Sequence, residues 1–372
     1  MIYFDYNATT PMRPEAIAAL TNAHNIVGNP SSVHKAGRAA RQTLEVTRRT
    51  VAETVNASPN QIIFTSGGTE SNGLALAAAQ HILVGATEHD CVLEASRHFD
   101  PNLSIVPVCN DGQLNWIALD ALLSSKSHLD GTCILSVMLA NNETGVIHPI
   151  PEISSLAHEY GWWVHCDAVQ AIGKIPVNMQ ALGVDSLTLS AHKFGGPKGV
   201  GALVHKKLVN IVPTSWGGGQ EKRRRAGTEN VAGIAAMGAA LKSAYSSILD
   251  MNRVDVLRQR LEQRMLYAVP DAIIYGYGTA RLPNTTCIGV PGLRNEMQLM
   301  HMDLADVAVG SGSACSSGKV TPSHVLKAMG APDDAATETL RFSIGWETTE
   351  TEVDIAANAW VQMVNTARSR VA

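Results

Sequence analysis

Through the first two thirds of the chain, short apolar runs alternate with longer stretches whose apolar residues recur every three or four positions. Apolar runs bounded by glycine, proline or polar clusters read as buried strands, and the longer periodic stretches read as amphipathic helices. Strands are expected over 62–65, 81–86, 104–108, 133–139 and 162–166, with a further apolar run over 184–189. Helices are expected over about 35–55, 69–80, 115–123, 152–160, 231–247 and 251–268. Strands separated by helices imply right-handed crossovers and a mostly parallel sheet covered on both faces. From Ile273 the texture changes to short strands broken by turns, then a helix, a glycine-serine loop and a last helix. A domain boundary is therefore expected near residue 250, with the first dozen residues packing back on the C-terminal part.

Composition narrows the class. The 372 residues suggest about two domains. With 45% hydrophobic and 17% charged residues, the chain reads as an ordinary soluble globular protein. A net charge of −4 gives no global surface for a polyanion, so nucleic acid is not an expected partner. The run Lys222-Arg223-Arg224-Arg225 is the exception, either a solvated loop or a segment facing a phosphate or a partner. The N-terminus lacks a basic region followed by an apolar one, and no apolar run approaches the roughly eighteen residues of a membrane span. No membrane association is expected, and the chain reads as cytoplasmic. The six cysteines form no C-x-x-C pair, so neither a zinc site nor a dithiol is supported, and no metal centre is expected. Cys109, Cys133, Cys166 and Cys287 lie in apolar or β-branched runs and read as small buried hydrophobes.

Chemistry enters at the strand ends, where open α/β sheets gather their sites. Ser190-Ala191-His192-Lys193 follows an apolar run and precedes a glycine-rich turn. A lysine there, flanked by hydroxyl and imidazole groups, is a candidate Schiff-base nucleophile. In His165-Cys166-Asp167-Ala168-Val169-Gln170 an aspartate ends another strand. Lysine and carboxylate together suit pyridoxal phosphate, the first holding its aldehyde and the second keeping its ring nitrogen protonated. Ser66-Gly67-Gly68-Thr69-Glu70 closes a strand and opens a helix, either an ordinary capped start or a phosphate cradle. Glu88-His89 and Asn141-Asn142-Glu143 end further strands at the same edge, where imidazole could stack on a ring and amides could meet its oxygen. In Gly310-Ser311-Gly312-Ser313-Ala314-Cys315-Ser316-Ser317-Gly318 a cysteine has no apolar neighbours to pack with. That setting suits a mobile sulfur nucleophile, or else a turn with an incidental thiol. Arg341, in a short β pattern, is a candidate ligand for an amino-acid carboxylate.

These motifs, with Asp5-Tyr6-Asn7-Ala8-Thr9-Thr10-Pro11, Gly28-Asn29-Pro30-Ser31-Ser32 and Arg225-Ala226-Gly227-Thr228, resemble in order and interval the NifS/IscS-type cysteine desulfurases. Those enzymes depend on pyridoxal phosphate and belong to the class V aminotransferase superfamily. The resemblance implies a fold-type I α/β transferase with a mostly parallel seven-stranded sheet in a large domain, plus a smaller α+β domain. The implied division is 13–250 for the large domain, and 1–12 with 251–372 for the small one carrying the cysteine loop.

It further implies that Lys193 bears the cofactor, Asp167 pairs with its ring nitrogen, and Gln170 and Asn142 meet its phenolic oxygen. His89 would stack on the ring, while Gly68, Thr69, Ser190 and His192 would bind the phosphate. Thr228 would reach the phosphate in the other subunit of a homodimer, and Asn29 and Arg341 would hold the carboxylate of L-cysteine. Cys315 would take the sulfur as a persulfide for an acceptor protein such as an iron-sulfur scaffold. A selenocysteine lyase would use the same apparatus, whereas another class V aminotransferase-like lyase would keep the lysine and aspartate without needing the Cys315 loop. Two departures stand out. Arg223 replaces a usual glycine, and Arg294-Asn295 replaces a more acidic pair.

Overall fold

The computed structural model describes residues 1–206, 210–312 and 322–369, so Cys315 lies outside the described residues. The chain opens with β1 (Ile2–Phe4), α1 (Pro14–His24) and α2 (Lys35–Thr54). It continues through β2 (Ile62–Thr65), α3 (Gly68–Leu76), β3 (His81–Gly85), α4 (Asp90–Phe99), β4 (Ser104–Val106) and α5 (Trp116–Ser125). Next come β5 (Cys133–Ser136), α6 (Ile150–Glu159), β6 (Trp163–Asp167), α7 (Met179–Leu182), β7 (Ser186–Ser190) and β8 (Gly201–His205). Two long helices follow, α8 (Val231–Ser246) and α9 (Met251–Ala268). The remainder is β9 (Ile273–Ile274), β10 (Thr285–Gly289), α10 (Asn295–Leu304), β11 (Val307–Val309), α11 (His324–Ala328), β12 (Thr339–Ser343) and α12 (Glu350–Ser369).

Seven strands form the main sheet in the order β2-β8-β7-β6-β5-β3-β4. From β7 through β4 each neighbour is parallel, and β8 runs antiparallel to both β7 and β2. The mostly parallel seven-stranded sheet is thus present. β8 itself was not among the expected strands. Its direction follows from its connection, because residues 191–200 are too few for a crossover helix and must turn back.

The buried strands carry apolar side chains on both faces, with Leu135, Val164, Leu187, Leu189 and Val204 on one and Ile63, Ile82, Ile134 and Leu203 on the other, as a sheet covered on both sides requires. A second core is built from Phe4, Val254, Leu257, Leu261, Phe342 and Trp360, between α9, α12 and the small antiparallel sheet β12-β10-β9. Residues 2–4 pair with β11, so the chain start packs on this second core. Residues 10–13 cross to the main sheet, where Thr10 N donates to His192 O at 2.9 Å and Arg13 N to Gly195 O at 2.9 Å. Leu282, Cys287, Val325 and Leu326, although late in sequence, join the first core.

Three local expectations change. Helix α3 ends at Leu76 rather than Gln80, because Gln80 N donates to Thr132 O at 2.8 Å and Gln80 Oε1 accepts from Thr132 N at 3.0 Å. Those bonds pull the chain into β3 before the helix can continue. The ladder of β5 closes at Ser136, although Val137 N and Leu139 N still donate to β6 carbonyls, at 3.0 and 2.8 Å. Cys109 is exposed, not buried. It sits on a turn where Gly112 N donates to its carbonyl at 2.9 Å, which directs its side chain outward.

Candidate active site

A pocket of ≈ 630 Å³, mouth included, opens at the carboxyl ends of β6 and β7. Asp167 is the last residue of β6 and Ser190 the last of β7, and Lys193 follows one short turn later. Gly68, Thr69, His89, Asn142, Asp167, Gln170, Ser190, His192 and Lys193 all line this pocket. The structure therefore gathers nine of the expected site residues, drawn from distant parts of the sequence, around one space.

On the strand side, Asp167 is buried and held at both oxygens. Its Oδ1 accepts from Val169 N at 2.9 Å and its Oδ2 from Asn72 Nδ2 at 2.7 Å. Asn72 Oδ1 lies 3.0 Å from His165 Nε2, and His165 Nδ1 lies 2.8 Å from Ser186 Oγ. Cys91 also lines the pocket, but burial raises its thiol to about 11, so it is held as the poorly nucleophilic thiol. His89 caps α4 by accepting from Cys91 N at 3.1 Å, which fixes its ring at the pocket wall. Desolvation lowers its pKa, against the pull of Asp167, and favours neutral imidazole.

The opposite side is crowded with cations. Lys193 Nζ donates to the carbonyls of Asn7 and, at 2.9 Å, of Ala8. Burial, with Arg341 next in effect, brings its pKa down to about 8. Buried Lys174 donates to Asn7 Oδ1 at 2.9 Å and to Gln170 Oε1 at 2.7 Å, and burial lowers its pKa well below the usual lysine range. Gln170 Nε2 donates to Asn7 O at 3.0 Å, so its amide is already oriented. Arg341 donates through Nη2 to Asp5 Oδ1 at 2.7 Å and through Nη1 to Asn142 O at 3.1 Å. Its buried Nε has no partner among the described residues. A guanidinium with an unused N–H beside a lysine suits a carboxylate in charge and donors, although this Nε is itself buried.

The third wall is the start of α3. Its N-cap is Gly67, and no side chain caps it, so the first turn leaves N–H groups and the positive helix end for an anion. Ser190 and His192 border the same end, and His192 is neutral, its pKa lowered to about 4 by burial and then by Lys193. A side chain at position 68 would bring its Cβ to 3.0 Å from Val169 Cγ2, so glycine keeps this approach open. An uncapped helix start, a lysine of lowered pKa and a clamped carboxylate around one space fit pyridoxal phosphate.

Four expected residues stand apart. Arg341 is buried and is not among the residues that line the pocket, although it is held against Asn142, which does. Asn29 is exposed and uses its Oδ1 to accept from Ser31 N at 2.9 Å, and it does not line the pocket. Thr228 is exposed and also off the pocket. Cys315 lies outside the described residues. Sequence reasoning missed Asn7, Asn72 and Lys174, although Asn7 and Lys174 sit within quoted or adjoining motifs. Polar side chains in such positions carry no local signal of burial.

The aminotransferase class-V family description matches residues 2–355. The chain belongs to that family. Among its relatives in the family, "Cysteine desulfurase IscS" of Dictyoglomus turgidum is 40% identical over 381 residues, covering 99% of this chain and 95% of that protein. "Cysteine desulfurase" of Cereibacter sphaeroides is 42% identical, covering 95% and 93% respectively. The solved structure of a NifS-like protein from Rickettsia africae superposes with a TM-score of 0.91 at 33% identity, covering 98% of this chain and 99% of that one.

Proposed function

We propose that this protein is a pyridoxal-phosphate-dependent cysteine desulfurase that removes sulfur from L-cysteine and releases L-alanine. The sulfur passes to Cys315 as a persulfide and then to an acceptor protein such as an iron-sulfur scaffold. The observation that carries the reading is Lys193, its pKa lowered to about 8, in one pocket with the clamped carboxylate of Asp167.

Pyridoxal phosphate, when bound, supplies a sink for the electron pair left when a bond at the amino-acid Cα breaks. Lys193 holds the cofactor's aldehyde, and Asp167 pairs with its ring nitrogen. His89 covers a ring face, and Gln170 and Asn142 meet the phenolic oxygen. Gly68, Thr69, Ser190 and His192 take the phosphate. Arg341, with its free Nε, and Asn29 hold the substrate carboxylate. With a pKa near neutrality, the Lys193 amine can take the Cα proton and return it, since base and acid forms are both populated. The Cys315 thiolate then attacks the substrate sulfur. The new sulfur–sulfur bond forms as the carbon–sulfur bond breaks, with that bond's electron pair staying on the departing carbon skeleton.

A homodimer and a cytoplasmic location complete the reading, as does the division of the chain into 13–250 and 1–12 with 251–372. Support for a second copy comes from Asn29 and Thr228, the two expected residues that are exposed and off the pocket. Exposed Val27 and Val33 flank Asn29, and exposed Trp216 lies in the segment before Thr228, an apolar rim suited to burial by a partner. Thr228 would then serve the partner's pocket.

The test is to incubate purified, cofactor-loaded protein with L-cysteine and follow alanine and intact mass together. Equal amounts of alanine and of one added sulfur, mapped to Cys315, are expected in the absence of an acceptor. Cys315→Ser should bind cofactor normally and form almost no alanine. An added sulfur surviving in that variant on Cys91 or another thiol would move the nucleophile elsewhere.

A further inference from the structure

Behind Asp167 runs a chain of polar side chains that no step above uses. Asn72, His165 and Ser186 are 0%, 0% and 4% exposed, so none exchanges its partners for water. We infer that His165 and Ser186 are positioning residues for Asp167, acting through the amide of Asn72. This rests on the reading of Asp167 as the partner of the cofactor's ring nitrogen.

The direction of the chain follows from its carboxylate end. A carboxylate only accepts, so the group 2.7 Å from Asp167 Oδ2 must be the Asn72 NH₂. That places Asn72 Oδ1, an acceptor, 3.0 Å from His165 Nε2, which must then carry a hydrogen. Burial holds the imidazole pKa down at about 3, so the ring is neutral and this is its one N–H. Nδ1 is left as an acceptor, and Ser186 Oγ at 2.8 Å donates to it. Each hydrogen therefore points towards Asp167, from Ser186 to His165 to Asn72.

The fold makes this arrangement rigid. His165 and Asp167 stand two apart on β6 and share a face, and Ser186 is the register partner of His165 across β6 and β7. Asn72 comes from α3, which packs on both strands. Turning the Asn72 amide over would set a carbonyl lone pair against the carboxylate and an N–H against the N–H of His165. The carboxylate disfavours that flip, and the Nε2–H of His165 holds the amide oxygen in the orientation that the carboxylate selects. Val169 N holds the other carboxylate oxygen at 2.9 Å, so the plane of Asp167 is set from two sides. Without the His165 N–H, the Asn72 oxygen loses its partner and the amide is held only through its NH₂, by Asp167 Oδ2 and by Cys91 Sγ at 3.4 Å, so that side of Asp167 is held more loosely.

The test begins with ¹⁵N NMR of wild-type apoprotein, which reads the ring protons of His165 directly. A neutral Nε2–H form is expected. An Nδ1–H form or an imidazolium would reverse the chain and overturn the inference. His165→Phe should then weaken pyridoxal phosphate binding about tenfold, the size of an ordinary coupling between contacting polar groups. In an Asn72→Ala background, where the chain is already cut, the same change should alter affinity less than about twofold. An equal loss in both backgrounds would show that His165 acts as packing alone. His165→Gln, whose amide can donate to Asn72, should recover most of the affinity, and a glutamine variant as weak as phenylalanine would count against the role. If His165→Phe fails to fold, the wild-type tautomer still decides. Wild-type protein that binds no pyridoxal phosphate at all would refute the cofactor reading, while the apoprotein spectrum would still read the chain.

Discussion

The two sides of the pocket are built on opposite principles. Around Asp167 both carboxylate oxygens meet an N–H from a neutral group, the fully buried amide of Asn72 and the backbone of half-buried Val169. Around Arg341, cationic side chains from different parts of the chain crowd together, and burial first, then the neighbouring charges, lower the pKa of Lys174 (by Lys193 and Arg341) and of Lys193 (by Arg341). Among the described residues, Asp5 is the carboxylate paired with Arg341, and one guanidinium N–H has no partner. Buried polar groups are costly unless paired, so the first side is complete as folded and the second is left short of an anion. The complete side suits a cofactor that stays. The unfinished side suits a carboxylate that comes and goes.

The strongest way to break this comparison is Lys193→Ala. Alanine formation from L-cysteine should fall by about four orders of magnitude or more, while circular dichroism shows a retained fold. Turnover at a wild-type rate would remove Lys193 from the chemistry and with it the purpose of the cationic side. Next in size is Arg341→Lys, which keeps the charge but loses the fork. KM for L-cysteine should rise about ten- to a hundredfold with cofactor affinity nearly unchanged, measured by steady-state kinetics and by titration. An equal loss of cofactor affinity would mean that the two sides are not separate.

The pH dependence sharpens the same point. The folded pKa of Lys193 is depressed to about 8, so its neutral, nucleophilic amine is scarce below that value and dominant above it. Uptake of pyridoxal phosphate by the apoprotein should therefore quicken about tenfold per pH unit up to about 8 and then level off. Stopped-flow absorbance across that range would show it, and a flat profile would argue against the lowered pKa. The smallest expected effect lies away from the pocket. Glu221, Lys222 and Arg223 have φ of 43°, 58° and 67°, a left-handed run that favours glycine. Arg223→Gly should thus raise stability by up to about 1 kcal/mol in urea unfolding, with turnover unchanged. A loss of stability would mean that the arginine side chain compensates for its backbone.

Much of the site is legible in the amino-acid sequence alone. Lys193, Asp167, His89 and the Gly67-Gly68 turn stand where apolar runs stop, and a parallel sheet brings such stops to one edge. The expected helices and strands reappear with boundaries moved by a few residues, wherever a tertiary bond such as Gln80 to Thr132 competes with the local pattern. Cys109 misled because its neighbours are apolar, while the turn it occupies faces water. Asn72 and His165 were not legible as a pair. They lie 93 positions apart, and nothing in either local sequence says that one amide will face one imidazole.

What the amino-acid sequence determined by itself is therefore the periodic part of the molecule: the alternation of strand and helix, the turns that end them, and the reactive groups placed at those ends. These depend on residues close in the chain, whose side-chain alternation and backbone preferences act locally. Only the tertiary structure decided the rest: the reversed direction of β8, the orphaned Nε of Arg341, the lowered pKa of Lys193 and the one-way chain of hydrogens behind Asp167. Each of these depends on desolvation and on bonds between segments far apart in sequence, and neither exists until the chain has packed.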